Sequence, residues 1–591
     1  MPAYWDRRYE VMNFNIEKIP FSTRGSYIAV SRFKADFCNL GNPEGVFLRS
    51  VHGLTYIPNS TMLNRPPFCA RIVPVAGGRE LSYALYADEA EVRMVTERGE
   101  VYMCFADEDT LLLGGRGSGL GVDLELIAGN YAYTVGACGQ RHIMMNCGPN
   151  SRRFLIRRAE GDITLVRQNT EPYCRTISVR AGGRGALLAA IEDIAEEWKP
   201  AARIFRYEES RAARKKDFED FLRTVPSAPS QYEEARRLAA YINWSCMVKK
   251  AGLLKRDGML MAKNWMCNIW SWDHCFNALA LSSRNPALAW DQFMLPFDFQ
   301  GESGRIPDCV SDTYAIWNFC KPPVHGWALS KMMRVMELTV PQLSDAYEKL
   351  SKWTNWWLIW RDEDGDGICE YHHGCDSGWD NSTAFRKHPV VESPDLAAFL
   401  ILQMETLNQL ALRLGLCGEA AGWAEKANHM LDAMLRHCFA GVRPIACVSG
   451  AHEEVECDSL LLYLPLLLGE KLPADIRESM VAALKDKFLT PYGLATEAIG
   501  SPYYEPDGYW RGPIWAPSTL LLVEGLDRCG EHDLASDIAK RFCDMAAASG
   551  FAENFNALTG EGLRDKAYTW TSSVFLTLME EYGNTDRMGG C

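Results

Sequence analysis

Two patterns of apolar and polar positions divide the chain. Over the first ~190 residues the apolar positions come in short alternating or β-branched runs, such as Asp162-Ile163-Thr164-Leu165-Val166, Thr176-Ile177-Ser178-Val179 and Tyr131-Ala132-Tyr133-Thr134-Val135. Gly-containing turns such as Ala159-Glu160-Gly161-Asp162 separate the runs. Alternation with period two buries one face of a strand, so this region predicts an antiparallel β-sandwich rather than βαβ units. From about Leu187 to Leu222 the chain is rich in Ala, Glu, Arg and Lys and reads as a charged helix, ended by Pro226 and Pro229.

From Gln231 onward the spacing is almost entirely helical. Twelve helices are expected, beginning near Tyr232, Trp272, Ala287, Gly326, Pro341, Pro394, Glu419, Cys457, Ala474, Pro513, His532 and Tyr568. Ser393-Pro394-Asp395 is a start signal, with Ser as N-cap, Pro in the first position and Asp in the first turn. Gly415 and Gly530 mark ends. Asp458 to Leu468 and Ala516 to Leu526 are apolar nearly all round, which predicts burial on more than one side. Twelve helices joined as hairpins are what six inner and six outer helices require, and no fixed-period repeat suggests a solenoid. The expected fold is mainly α, with domains at 1–190 (β-sandwich), 191–230 (helical linker) and 231–591 (helical barrel).

Composition narrows the function. The 591 residues are 47% hydrophobic and 23% charged, as in globular proteins, and 76 acidic against 62 basic residues leave a net charge of −14. That argues against nucleic-acid partners and against anionic membranes. Met1 to Arg8 contains no apolar signal segment, and the 20 cysteines are scattered without zinc-like CxxC spacing. Free thiols in a cytoplasmic protein are the expectation.

Chemistry concentrates where helices meet. Asp376-Ser377-Gly378-Trp379-Asp380-Asn381-Ser382 and Phe551-Ala552-Glu553-Asn554-Phe555 each place a carboxylate among aromatics. Glycosidic hydrolysis needs two carboxyl groups across a sugar ring, one protonated in a dry place such as beside Trp379, the other ionised in a polar one such as beside Asn554. Trp270-Ser271-Trp272-Asp273-His274, Lys321-Pro322-Pro323-Val324-His325-Gly326-Trp327 and Tyr509-Trp510-Arg511-Gly512-Pro513-Ile514-Trp515 add aromatic platforms with charged neighbours, a pairing that suits the flat faces and hydroxyl rims of sugars. Asp362-Glu363-Asp364-Gly365-Asp366-Gly367 looks like half a calcium loop, but position twelve is His373 rather than Glu, so a plain acidic turn without metal is expected. No HExxH or Walker motif occurs, and Gly114 to Gly119 is expected to be a turn.

The Trp270 motif, the Lys321 motif, the acidic turn leading to Asp376-Ser377-Gly378-Trp379-Asp380, the Tyr509 motif and the Glu553 segment, in that order between Tyr232 and the C-terminus, resemble glycoside hydrolase family 63, and within it the bacterial branch near the mannosylglycerate hydrolases. The resemblance implies an (α/α)6 barrel and an inverting, exo-acting, cofactor-free hydrolysis of a small α-glycoside, an α-glucoside first. Asp380 matches the family's general acid and Glu553 its general base. Trp270, Trp272, Asp273, Trp510 and Arg511 match positions that shape the sugar pocket, and Lys321, His325, Trp327, Trp379, Asn381 and Trp515 in the same motifs are expected to bind substrate. His325 departs from the Gln of many relatives, which bears on leaving-group specificity. A mannosyl- or glucosylglycerate substrate is the alternative, with Arg511, Arg564 or Lys321 for the glycerate carboxylate. A non-catalytic sugar-binding protein is the rival from another class.

Overall fold

In the computed structural model, residues 12–34, 44–53, 68–127, 132–136, 142–147, 152–166, 176–194 and 204–583 are described. The chain divides into two units, 1–223 with 240–250 and 262–267, and 224–239 with 251–261 and 268–591.

The first unit is built on two antiparallel sheets. One runs Ile28–Phe33, Gly45–Ser50, Phe68–Ala76, Leu120–Leu126, Thr176–Arg180, Asp162–Val166, with Arg79–Glu80 paired to Phe68–Ala76. The other runs Ala132–Gly136, His142–Cys147, Arg153–Glu160, Ala186–Ile194, Thr110–Gly117, Gly99–Asp107, Val92–Thr96, Tyr83–Ala87. Position in the sheet explains the sequence pattern. Asp162–Val166 lies at an edge and fully buries only Ile163. Central Thr110–Gly117 buries its first six residues in succession, because both faces are covered. Leu112 belongs to a cluster with Cys104 and Ala190, against which Leu188, Phe205 and Tyr207 pack.

That cover is the Tyr207–Leu222 helix, which packs on Gly99–Asp107. The single charged helix expected over 187–222 is therefore corrected: its first part is the Ala186–Ile194 strand. Ala and Leu there favour helix locally, yet pairing on both sides with Arg153–Glu160 and Thr110–Gly117 decides the outcome. The helix belongs to the β unit, so the separate linker over 191–230 is not what the division shows. The glycine string at 114–119 begins as strand, with only Ser118 and Gly119 turning. A Cβ on Gly117 would lie 2.0 Å from the Arg98 carbonyl, which explains the glycine better than a turn does.

All twelve expected helices are present, each starting within about three residues of its sequence signal. Six of them, Asp273–Ser282, His325–Met332, Pro394–Arg413, Leu460–Lys471, Ala516–Arg528 and Thr569–Tyr582, contact one another in a closed ring, first to last. Asp273–Ser282 is buried at every position, as an inner helix must be. Pro286–Met294, Val340–Trp360, Cys417–His437, Ala474–Ala483 and His532–Ser549 pack outside on the preceding or following inner helix, and Glu233–Cys246 is the remaining one. This is an (α/α)6 barrel.

Two details differ from the sequence reading. Leu460–Lys471 is a 3-10 helix with Pro465 inside it and Gly469 at φ 57°, since proline removes a hydrogen-bond donor there. Ser393 sits at the N-cap of its helix, but its hydroxyl donates to the Asp395 carboxylate instead of accepting from the backbone. With 40% helix and 25% strand, the protein is mixed rather than mainly α.

Candidate active site

Five segments that carry the motifs each lead into the N-terminus of an inner helix: Trp270–Trp272, Lys321, Asp380, Tyr509–Trp515 and Glu553 precede the helices starting at Asp273, His325, Pro394, Ala516 and Thr569. Helices aligned this way present their positive dipole ends to one side of the barrel. Small sheets pin the segments. Ile269–Trp270 pairs with Cys309–Val310, and Ile514–Trp515 pairs with Asn554–Phe555, which pairs in turn with Gly562–Leu563. The last arrangement sets Glu553 beside the Tyr509 loop although 44 positions separate them (553 − 509).

Tyr509 is the hub. It has φ 65°, and so do Phe551 and Arg564 nearly, at 60° each, three of the four non-glycine residues with positive φ among those described. Such conformations cost roughly 1–3 kcal/mol each and persist only where surroundings enforce them. Here Trp515 Nε1 donates to the Tyr509 carbonyl at 2.8 Å, and Asn381 clamps the flanks by donating to the Gly508 carbonyl and accepting from Trp510 N, both at 2.9 Å. Burial, then Glu553, Asp380 and Asp273 together, push the Tyr509 phenol well above the usual range.

The two expected catalytic carboxylates have the opposite settings from those the sequence suggested. Glu553 is the dry one. It is buried, and burial followed by the nearby Asp565 pushes its carboxyl up to about 8, against the opposing pull of the Asp565 amide, Arg564 and Tyr509. Asn554 does not supply the polar setting, for its side-chain amide has no hydrogen-bond partner. Asp380 is one-third exposed and lies 3.6 Å from the Lys321 ammonium. It opens on a cavity of about 390 Å³ with Asn381, Arg386, Lys387, His388 and Arg511 on its walls.

Lys321 is buried and fully engaged, 3.2 Å from Asp308, 3.6 Å from Asp380, and donating to the Cys375 carbonyl at 2.7 Å. Its expected service to a glycerate carboxylate is thereby corrected; it balances carboxylates. Asp308, pushed up by burial, is a member of the site that sequence reasoning did not name, although it directly follows Gly304-Arg305-Ile306-Pro307, a segment grouped with the Lys321 motif. Burial likewise holds Asp273 well above the usual carboxylate range. Asp376, four residues before Asp380, serves structure: it accepts from Cys320 N and His372 N at 3.0 and 3.1 Å and faces Arg361.

Of the aromatics, Trp270 is partly exposed, whereas Trp272, Trp379, Trp510 and Trp515 are buried to 2% exposure or less. They pack together with Trp570, Trp510 stacking on Trp515 at 4.0 Å, beneath the site rather than as its open walls. The expected stacking role of these four is corrected to support. Gly378, at φ 75°, lets Trp272 approach, for a Cβ would meet its ring at 2.6 Å. His325 and Trp327 are also displaced from the expected pocket. His325 is fully buried among His274, Phe293, Phe297 and Trp353, and the Trp327 indole donates to Glu524 across the ring at 3.0 Å. Both are enclosed by neighbouring side chains, and neither lines the cavity at Asp380. Arg511 faces the cavity 3.0 Å from Glu505, and Arg564 pairs with Asp507 at 2.8 Å.

A helical barrel whose inner-helix N-termini gather acids, tryptophans and a cationic rim has the build of a glycoside hydrolase. Residues 266–571 match the family model of the mannosylglycerate hydrolase MGH1-like glycoside hydrolase domain, and the chain belongs to that family, within glycoside hydrolase family 63. It is 23% identical over 389 residues to the mannosylglycerate hydrolase MGH2 of Selaginella moellendorffii, covering 52% of this chain and 79% of that one. The fold resembles that of the GH63 mannosylglycerate hydrolase from Thermus thermophilus in complex with Tris, with TM-score 0.51, 19% identity, and 57% of this chain matched to 98% of that one. A bacterial glucoamylase complexed with acarbose matches 98% of this chain and 96% of its own at TM-score 0.60 and 11% identity, so the likeness extends to the β unit. The protein is a glycoside hydrolase. Among the described residues, no helix is long and apolar enough to cross a membrane.

Proposed function

We propose that the enzyme hydrolyses, with inversion, a small α-glycoside whose leaving group is anionic, a mannosyl- or glucosylglycerate before a neutral α-glucoside. The observation that carries this is the rim beside Asp380. In a chain of net charge −14, Arg386, Lys387 and Arg511 line one cavity together with His388. Such a rim attracts a carboxylate at the leaving-group side and repels no part of the sugar. Relatives with glycerate-specific names support the same choice.

Asp380 donates the proton to the glycosidic oxygen as that oxygen departs, and Glu553 takes one from the attacking water on the far face of the ring. A carboxylate raised to about 8 is a stronger base than an ordinary one. No cofactor enters this chemistry, and free thiols throughout the described residues suit a reducing cytoplasm.

A second reading exchanges the roles, and the dryness of Glu553 favours it. A group neutral below about pH 8 is a ready proton donor, while Asp380 lies 3.6 Å from the Lys321 ammonium. The pH profile separates the two. With Glu553 as base, kcat/KM climbs as pH rises toward about 8; with Glu553 as acid, it falls as pH rises through about 8. The substrate is tested by comparing kcat/KM on α-mannosylglycerate, α-glucosylglycerate and neutral α-linked disaccharides. A preference for the neutral sugars that survives Arg511→Ala and Arg386→Ala would sink the anionic leaving group. Proton NMR of the first-released anomer tests inversion, and release of the α-anomer would refute it.

A further inference from the structure

The acidic turn at 362–367 lacks its closing ligand when judged by spacing along the chain. In the fold, three residues remote in sequence close it. Glu392 comes from the short Val391–Glu392 strand, which pairs with Glu370–Tyr371 and Cys447–Val448. His437 ends the Cys417–His437 helix, and His452 stands in the turn after Cys447–Val448 with φ 51°, a strained conformation for a non-glycine residue. Asp366, His437 and His452 present ligand atoms within 4.8 Å of one another, as do Asp364, Asp366, Glu392 and His452.

The distances say what kind of cluster this is. His437 Nδ1 lies 3.2 Å from Asp366 Oδ2, His452 Nδ1 lies 3.9 Å from the same oxygen, and His452 Nδ1 lies 3.5 Å from Glu392 Oε2. Charge-assisted hydrogen bonds would be shorter, about 2.7–2.9 Å. Asp366 Oδ2 and both Glu392 oxygens are buried and have no hydrogen-bond partner, so proximity here is not bonding. Ligand atoms held about 2.0–2.1 Å from a common ion sit roughly 2.8–3.0 Å from their neighbours in an octahedral shell and about 3.3–3.4 Å in a tetrahedral one, near the spacings of His437 and Glu392 to their partners here. The Glu392 side chain is 0% exposed and aims its carboxylate into this centre. Among the described residues, the ion-pair partners of Asp364, Asp366 and Glu392 are histidines, not lysines or arginines. A buried carboxylate without a bond or a fixed cation costs several kcal/mol, and a bound cation removes that cost.

The geometry points to a structural divalent cation site centred on Asp366 and His452, the two residues shared by both groups, with Glu392 and Asp364 on one side and His437 on the other. Two imidazoles with carboxylates suit a borderline ion of the Zn²⁺ or Mn²⁺ type, whereas Ca²⁺ takes oxygen ligands. Glu392 lies two residues before the Pro394–Arg413 inner helix, so the ion would brace the loop that carries Asp380 without touching substrate. This inference does not depend on the substrate proposed above.

The test uses the full chain. Metal content is measured after purification without chelator, and unfolding midpoints are followed after EDTA treatment and addition of Zn²⁺, Mn²⁺, Ca²⁺ or Mg²⁺ separately. A Zn²⁺- or Mn²⁺-class ion should co-purify, EDTA should remove it, and re-addition should raise the midpoint by a few degrees, as mass action requires for an ion that binds the folded state alone. His437→Ala and His452→Ala should each weaken that response by roughly tenfold or more in ion concentration. Glu392→Gln should abolish the response while leaving the metal-free protein no less stable than wild type. If Glu392→Gln does not fold, the more exposed histidines carry the test alone. No midpoint shift with any of the four ions would overturn the proposal. So would a shift with Ca²⁺ only that both histidine variants leave unchanged.

Discussion

Replacing Glu553 by Gln keeps the side chain's shape and removes its charge from a dry place, so the consequence for stability can be worked from the structure. An ordinary glutamate titrates near 4.5, whereas burial pushes Glu553 up to about 8. Below about pH 4.5 the group is neutral folded and unfolded, and ionisation costs nothing. Between the two values the unfolded chain ionises first, so the folded state loses stability as pH rises, by about 1.36 kcal/mol per unit. Above about 8 the loss is complete, on the order of 5 kcal/mol. Glutamine does not titrate and escapes it. The barrel unit has roughly 350 residues, and at about 2.1 cal/mol/K per residue its unfolding entropy is near 0.7 kcal/mol/K. The variant's midpoint should therefore gain about 7 °C on wild type between pH 4.5 and 8.5, beyond any constant offset from the substitution. The assay is a set of parallel thermal melts of the two proteins across that range. A difference that stays flat with pH would refute the claim that Glu553 is dry, and the pH-based distinction between its roles would go with it.

Asp380→Asn should nearly abolish cleavage of the natural glycoside yet retain more activity on an α-glycosyl fluoride, because fluoride leaves with little protonation; equal loss on both would take the acid role from Asp380. Glu553→Gln should be slow on both substrates, with azide giving partial rescue and a β-configured product. Trp272→Ala should cost roughly 3–5 kcal/mol of stability, as expected for a buried aromatic, and a loss of substrate affinity at unchanged melting temperature would return it to the pocket wall. Asn381→Ala removes both clamps on the 508–510 segment and should lower kcat about tenfold or more with little effect on melting; unchanged kinetics would mean that Tyr509 holds its strained conformation without it.

How much could be read before folding follows from the range of each interaction. Helix starts depend on neighbours a few positions apart, which is why Ser393-Pro394, Gly415 and Gly530 marked their elements. The alternating runs at 162–166 and 176–179 revealed strands for the same reason. Ala186–Ile194 was misread because its helix-forming residues are overruled by pairing with strands distant in sequence. Motif order was enough to reach the family and to nominate Asp380 and Glu553. It could not tell a tryptophan on the wall from one beneath it, since Trp270 and Trp272 have the same local surroundings and differ only in what packs over them. Desolvation is likewise a property of the whole neighbourhood. The residues beside Glu553 in the chain suggested a polar setting, and the fold enclosed it instead, leaving Asp380 next to Lys321. Asp308 joined the site through a contact with Lys321 that no spacing records. Local order along the chain determined the elements and the chemistry available, while burial and long-range juxtaposition, which exist only once the ring of helices closes, decided which groups are dry, which are paired and which can meet a sugar.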